Sequence, residues 1–167
     1  MQKRTRRGAT LVEVLIYILI LSVLSVVVIN LFVVMMRSFF DFRQTRQITH
    51  SASVALERMV RETRRATAID LAQSNLGIHP GRLILQMSDG SVLTFTLTDG
   101  TLTIQAGTGP TISLTAPGVA VSDLVFRAFS TPVSKAVKID LTLTATRPGG
   151  GVRSANFYGT AVLRGSY

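Results

Sequence analysis

The chain has 167 residues, room for one ordinary domain and an attached segment but not for two full domains. It contains no cysteine, which excludes disulfides, thiolate chemistry and cysteine-based zinc sites. Its 18 basic and 9 acidic side chains give a net charge of +9, and four of the positive charges fall in the first seven residues. Met1-Gln2-Lys3-Arg4-Thr5-Arg6-Arg7 is therefore a basic leader. Without residues 1–8 the remainder holds 14 basic and 9 acidic side chains, net +5. Part of the excess thus reads as a topology signal that holds the N-terminus on the cytoplasmic side.

Behind the leader stands Gly8-Ala9-Thr10-Leu11-Val12-Glu13, and then Val14 to Met36, 23 residues without a charge. A helix of that length extends roughly 35 Å at 1.5 Å per residue, enough to cross a hydrocarbon core of about 30 Å. The apolar run of a cleaved secretory signal is only about 7–15 residues and ends in a small-residue cleavage site. This run instead passes into Met35-Met36-Arg37-Ser38-Phe39-Phe40, so a retained membrane helix is expected, and a twin-arginine reading of Arg6-Arg7 lacks its cleavage site. Glu13 stands out. A carboxylate in lipid at a helix end costs ~2.5–3.5 kcal/mol on insertion scales, so it needs a partner or a proton.

From Ala9 to Ile69 there is neither proline nor glycine. Ile48, Ala52, Ala55, Met59 and Ala66 recur at helical spacing, with Leu56, Val60 and Ile69 broadening the stripe. One helix of about 61 residues, roughly 90 Å long, is predicted. Glu57 with Arg61 and Arg58 with Glu62 form four-residue pairs on it, each worth ~0.2–0.5 kcal/mol.

After Asp70 the period changes to two. Arg82–Ser88, Ser91–Thr98 and Thr101–Ala106 alternate, separated by Asp89-Gly90 and Asp99-Gly100, dipeptides that suit type I′ hairpin turns with positive φ at both positions. Thr111–Thr115 and Val119–Val125 are weaker strand candidates. Ala136–Ala145 alternates cleanly, and a last strand is expected from Arg153 to Leu163, beyond the turn Pro148-Gly149-Gly150-Gly151. The predicted fold is α+β, a long N-terminal helix packed on a C-terminal antiparallel β domain. Its parts are a leader (1–8), a transmembrane helix (9–36), an amphipathic continuation (37–69) and a β head (70–167). A head of that size buries only about 60–65 % of its unfolded surface, so it needs the helix as cover.

A basic leader ending in Gly8, followed by Ala9-Thr10-Leu11-Val12-Glu13 and an uninterrupted apolar helix, resembles the class III signal of type IV pilins and pseudopilins. Ala55-Leu56-Glu57-Arg58-Met59-Val60-Arg61-Glu62-Thr63-Arg64-Arg65-Ala66 is similar to the helix of J-type minor pseudopilins and related minor pilins. The resemblance implies cleavage after Gly8 by prepilin peptidase, methylation of the new α-amino group on Ala9, and a role for Glu13 in assembly. It departs at Ala9, where the family usually has Phe. It implies a non-enzymatic subunit without cofactor, inserted once in the cytoplasmic membrane with its C-terminal domain outside, then placed in a filament. The implied partners are other subunits, the peptidase, an inner-membrane assembly platform and the lipid bilayer. Physically, Glu13 could pair with the α-amino group of a neighbour's Ala9 and set the axial register between subunits, because either charge alone in hydrocarbon is expensive. Two alternatives are a competence-type minor pilin that helps bind DNA and a signal-anchored envelope-binding domain that never assembles.

Other signals are weaker. Arg37, Arg43, Arg46, Arg58, Arg61, Arg64 and Arg65 make the second half of the helix basic, and Arg58, Arg61 and Arg65 are candidate contacts for an anionic partner. The simpler reading is a solvated face paired with Asp41, Glu57 and Glu62, so nucleic acid is the disfavoured partner. His50 and His79 stand apart without metal-ligand spacing. Asp89, Asp99, Asp123 and Asp140 form no carboxylate pair. Phe39, Phe40 and Phe42 fit an interfacial anchor or a core.

Overall fold

The computed structural model describes residues 10–131, 134–146 and 151–164, apart from the side chains of residues 40, 41 and 43. Helix α1 spans Leu11–Arg65, and eight strands follow. The chain divides into two compact units, Met1–Asp41 and Phe42–Tyr167, with the boundary inside α1.

In the first unit every described residue from Thr10 to Phe39 is exposed. The segment is long and apolar enough to cross a membrane, and its described residues are all exposed. Ser22 satisfies its hydroxyl locally by donating to the Ile18 carbonyl at 2.8 Å, so it adds no orphaned polar group to an apolar surface.

The second unit holds the core. Strands β1 (Ala66–Ile69), β2 (Leu83–Met87), β3 (Val92–Thr98), β4 (Thr101–Ala106) and β5 (Thr111–Ser113) form an antiparallel sheet in sequential order. Strands β6 (Val119–Ser130), β7 (Lys135–Thr146) and β8 (Val152–Val162) form a second antiparallel sheet. Between them, the Val121 N–H donates to the Gly100 carbonyl at 2.7 Å. The helical stripe lands where its spacing predicts: Ile48, Ala52, Ala55 and Met59 are at most 2 % exposed. They pack in one cluster with Leu83, Leu85 and Phe95 of the first sheet and Phe126, Ile139 and Leu141 of the second. Each fully buried large side chain contributes about 1.5–3 kcal/mol. Beside the helix, Gly159 of β8 leaves so little room that a Cβ there would lie 3.2 Å from Leu56 Cδ2 and 3.4 Å from Val60 Cγ2.

The helix ends at Arg65, four residues before the predicted end at Ile69. Ala66–Ile69 is strand β1, paired with β2 through Ala66↔Met87, Ala68↔Gln86 and Ile69↔Leu85. Thr67 Oγ1 adds a bond to the Gln86 carbonyl at 3.0 Å. Ladder pairing here overrides the helical preference of the two alanines. Ala66 is buried either way, which is why the apolar spacing continued through the boundary.

The two Asp-Gly turns differ. Asp99 (φ 49°) and Gly100 (φ 72°) form the predicted two-residue turn with both φ positive. At the other turn only Gly90 is positive (φ 79°). There Met87 N–H donates to the Ser91 carbonyl at 2.9 Å and Gly90 N–H to the Met87 carbonyl at 3.1 Å. This is a three-residue loop closed by a bulge glycine. Asp89 Oδ1 stabilises it by accepting from the Ser91 amide at 2.9 Å and the Ser91 hydroxyl at 2.6 Å.

Strand β6 runs five residues past its predicted end at Val125. A bulge between Val121 and Asp123 switches the parity of the inward face, from Val119 and Val121 to Leu124 and Phe126. The outer edge of β6 is covered by the loop after β1: Gly77 N–H donates to the Phe126 carbonyl and Gly81 N–H to the Leu124 carbonyl, both at 2.8 Å. A Cβ at Gly81 would stand 2.8 Å from the Leu124 carbonyl oxygen, so only glycine fits. The predicted turn at Pro148-Gly149-Gly150 lies outside the described residues.

Candidate functional site

The N-terminal turn of α1 is built by Thr10. Its carbonyl accepts from Glu13 N–H at 3.0 Å and Val14 N–H at 3.2 Å, and its hydroxyl accepts from Glu13 N–H at 3.3 Å. Thr10 is therefore the N-cap and Glu13 the third helical residue, the spacing of a capping box. A carboxylate in the first turn also meets the positive end of the helix dipole. The Glu13 side chain accepts from the Tyr17 hydroxyl, one turn on, at 3.0 Å. Thr-x-x-Glu before an apolar run carries this signal in plain sight, and Tyr17 follows from i, i+4 spacing. Both refine the reading of Glu13, whose carboxylate has a local structural role in the single chain. Gly8 and Ala9 lie outside the described residues.

Arg58, Arg61 and Arg65, the candidate contacts for an anionic partner, gather around an acid of their own chain. Glu62, with its side chain 5 % exposed, lies 3.1 Å from Arg58, 3.9 Å from Arg61 and 3.8 Å from Arg65. Arg61 also meets Glu57 at 3.2 Å. Both predicted four-residue pairs are present, and Glu62 neutralises part of the arginine charge from within. The Asp41 side chain lies outside the described ones.

The remaining candidates have structural roles. His79 Nδ1 accepts from the Leu124 N–H at 3.1 Å, which places the ring proton on Nε2. The same nitrogen sits 3.3 Å from Asp123 Oδ1, a contact that cannot be a hydrogen bond in that tautomer. His50 lines an open depression with Arg46 and Thr49. Asp140 pairs with Arg127 and lies 3.4 Å from Lys138. Among the described residues no three His, Cys, Asp or Glu side chains gather as a metal site requires.

Residues 3–29 match the prokaryotic N-terminal methylation motif. The match takes in the basic leader, Gly8-Ala9, Glu13, Tyr17 and more than half of the apolar run. It supports a substrate of prepilin peptidase of the pilin or pseudopilin type, and it marks a structural family. A class III signal followed by an exposed apolar helix fits membrane anchoring. No curated protein and no solved structure matches the chain.

Proposed function

We propose that the protein is a structural minor pilin or pseudopilin subunit, of the J type or a related minor type. Prepilin peptidase cleaves it after Gly8, Ala9 becomes the methylated N-terminus, and the subunit enters a type IV pilus or secretion pseudopilus. Before assembly it is a single-pass protein of the cytoplasmic membrane with its β domain outside. The observation that carries this reading is the match over residues 3–29, joined to an apolar segment whose described residues are exposed.

On this reading Glu13 works twice. Within one subunit it completes the first helical turn and is held by Tyr17. Between subunits its charge seeks the α-amino group of a neighbour's Ala9, and that pairing sets the axial register. The apolar faces then gain from neighbouring helices the packing they lack in the single chain. Mass spectrometry of the protein recovered from cells that carry the peptidase tests the processing step. The expected mass is that of a chain beginning at Ala9 with one added methyl group. An intact leader would leave a plain signal-anchored domain.

A further inference from the structure

The positive charge at the C-terminal end of α1 is not all accounted for by Glu57 and Glu62. An open groove of about 350 Å³ is lined by Glu57, Val60, Arg61, Arg64, Arg65 and Arg164. Arg61 and Arg65 are engaged with Glu57 and Glu62. Arg64 and Arg164, both exposed, have no acidic partner among the described residues. Cations in the last helical turn complement the dipole, which explains Arg64 and Arg65 in part. It does not explain Arg164, which comes from beyond β8 to the same groove. Four guanidinium groups against one lining carboxylate leave an unbalanced, solvent-facing charge.

We propose that this groove docks an acidic segment of a partner protein, with Arg64 and Arg164 as its free carboxylate receptors. The planar guanidinium fork suits a carboxylate, which it can hold by two parallel hydrogen bonds. A second copy of this chain is a poor occupant, because the unit Phe42–Tyr167 carries 13 basic and 7 acidic side chains, net +6. Its acids are either committed, as Glu57, Glu62 and Asp140 are, or dispersed singly at Asp70, Asp89, Asp99 and Asp123. A nucleic acid is also disfavoured. Its phosphates call for a continuous basic track, whereas Glu57 stands in the wall of this groove. On the other flank of the Glu57–Arg61 pair lies an aliphatic depression that includes Val54 and Ile112, 46 % and 60 % exposed. Charged and apolar surface side by side is the composition of a protein–protein contact. The inference concerns the β-domain unit and stands whether or not the chain polymerises.

The test uses the full chain in detergent with two probes, a hexaglutamate peptide and an oligothymidylate. The peptide should bind in a salt-sensitive manner. Arg64→Ala with Arg164→Ala should weaken it about tenfold or more, as expected for losing two charge-assisted contacts. Arg64→Glu with Arg164→Glu should abolish it. Arg153→Ala, at an exposed position on β8, should change nothing, and all variants should melt like the parent. Three results would overturn the proposal: no peptide binding by the parent, equal loss with Arg153→Ala, or oligothymidylate bound more tightly than the peptide through the same two arginines.

Discussion

The two stretches of α1 on either side of residue 41 differ sharply in apolar content, and they end in opposite circumstances. From Thr10 to Phe39 no described side chain is covered. From Phe42 to Arg65 one stripe is sealed against two sheets while the other face is charged. The second stretch therefore gains its stability within one chain. The first has only surface to offer, and its burial must come from lipid or from other helices. Apolar content and its distribution around the circumference together say which solvent a helix is built for.

This comparison can be broken by experiment. The largest effect should come from removing the cover: a fragment beginning at Asp70 should fail to fold, whereas one beginning at Ser38 should be soluble and melt cooperatively. A cooperative melt of the shorter fragment would mean that the sheets do not need the helix. Next, Met59→Ala should destabilise the Ser38 fragment by about 2–5 kcal/mol in urea titration, the range for emptying a packed core site. Leu24→Ala in the full chain should leave the melting of the β domain where it was, since Leu24 touches no core. Gly81→Ala should cost about 1–3 kcal/mol, because the Cβ meets a backbone carbonyl that cannot swing away. The smallest effect belongs to Asp89. The hydrogen bonds from Ser91, its hydroxyl first, hold the Asp89 carboxyl below the ordinary aspartate range. Its contribution to stability is thus complete above that range and fades as the pH falls through the lowered value. Asp89→Asn should slightly lower the stability of the Ser38 fragment at neutral pH and flatten the acid limb of its pH–stability curve, the two proteins converging at low pH.

Much of the architecture was legible in the sequence because two periodicities alternate cleanly. The stripe Ile48, Ala52, Ala55, Met59 identified the buried helix face, and Val137, Ile139, Leu141 and Leu143 identified the inward face of β7. The errors fall where a local signal serves two structures. Ala66 continues a helical stripe and also opens a strand, so spacing could not find the boundary at Arg65. Asp-Gly closes both two- and three-residue hairpins, and only the flanking register separates them. The bulge in β6 changed the inward parity without any glycine or proline to mark it. That the β strands form two sheets rather than one depends on long-range pairing, which no local pattern encodes. At the candidate site, Glu13 is visible as a lone charge, and its cap at Thr10 and bond to Tyr17 are encoded in Thr-x-x-Glu and i, i+4 spacings. The convergence of Arg164 on the end of α1 was invisible, since nearly a hundred residues separate it from Arg65.

The local bonding of the Glu13 side chain to Tyr17 makes the central claim testable with one substitution. Glu13→Gln keeps an oxygen for Tyr17 and leaves the Thr10 cap in place while removing only the charge. The direct measurement is incorporation of this variant into filaments sheared from cells, set against its level in the membrane. The account predicts normal membrane insertion and a severe loss from the filament fraction. Undiminished incorporation would contradict it, leaving Glu13 with its local bond to Tyr17 and nothing more.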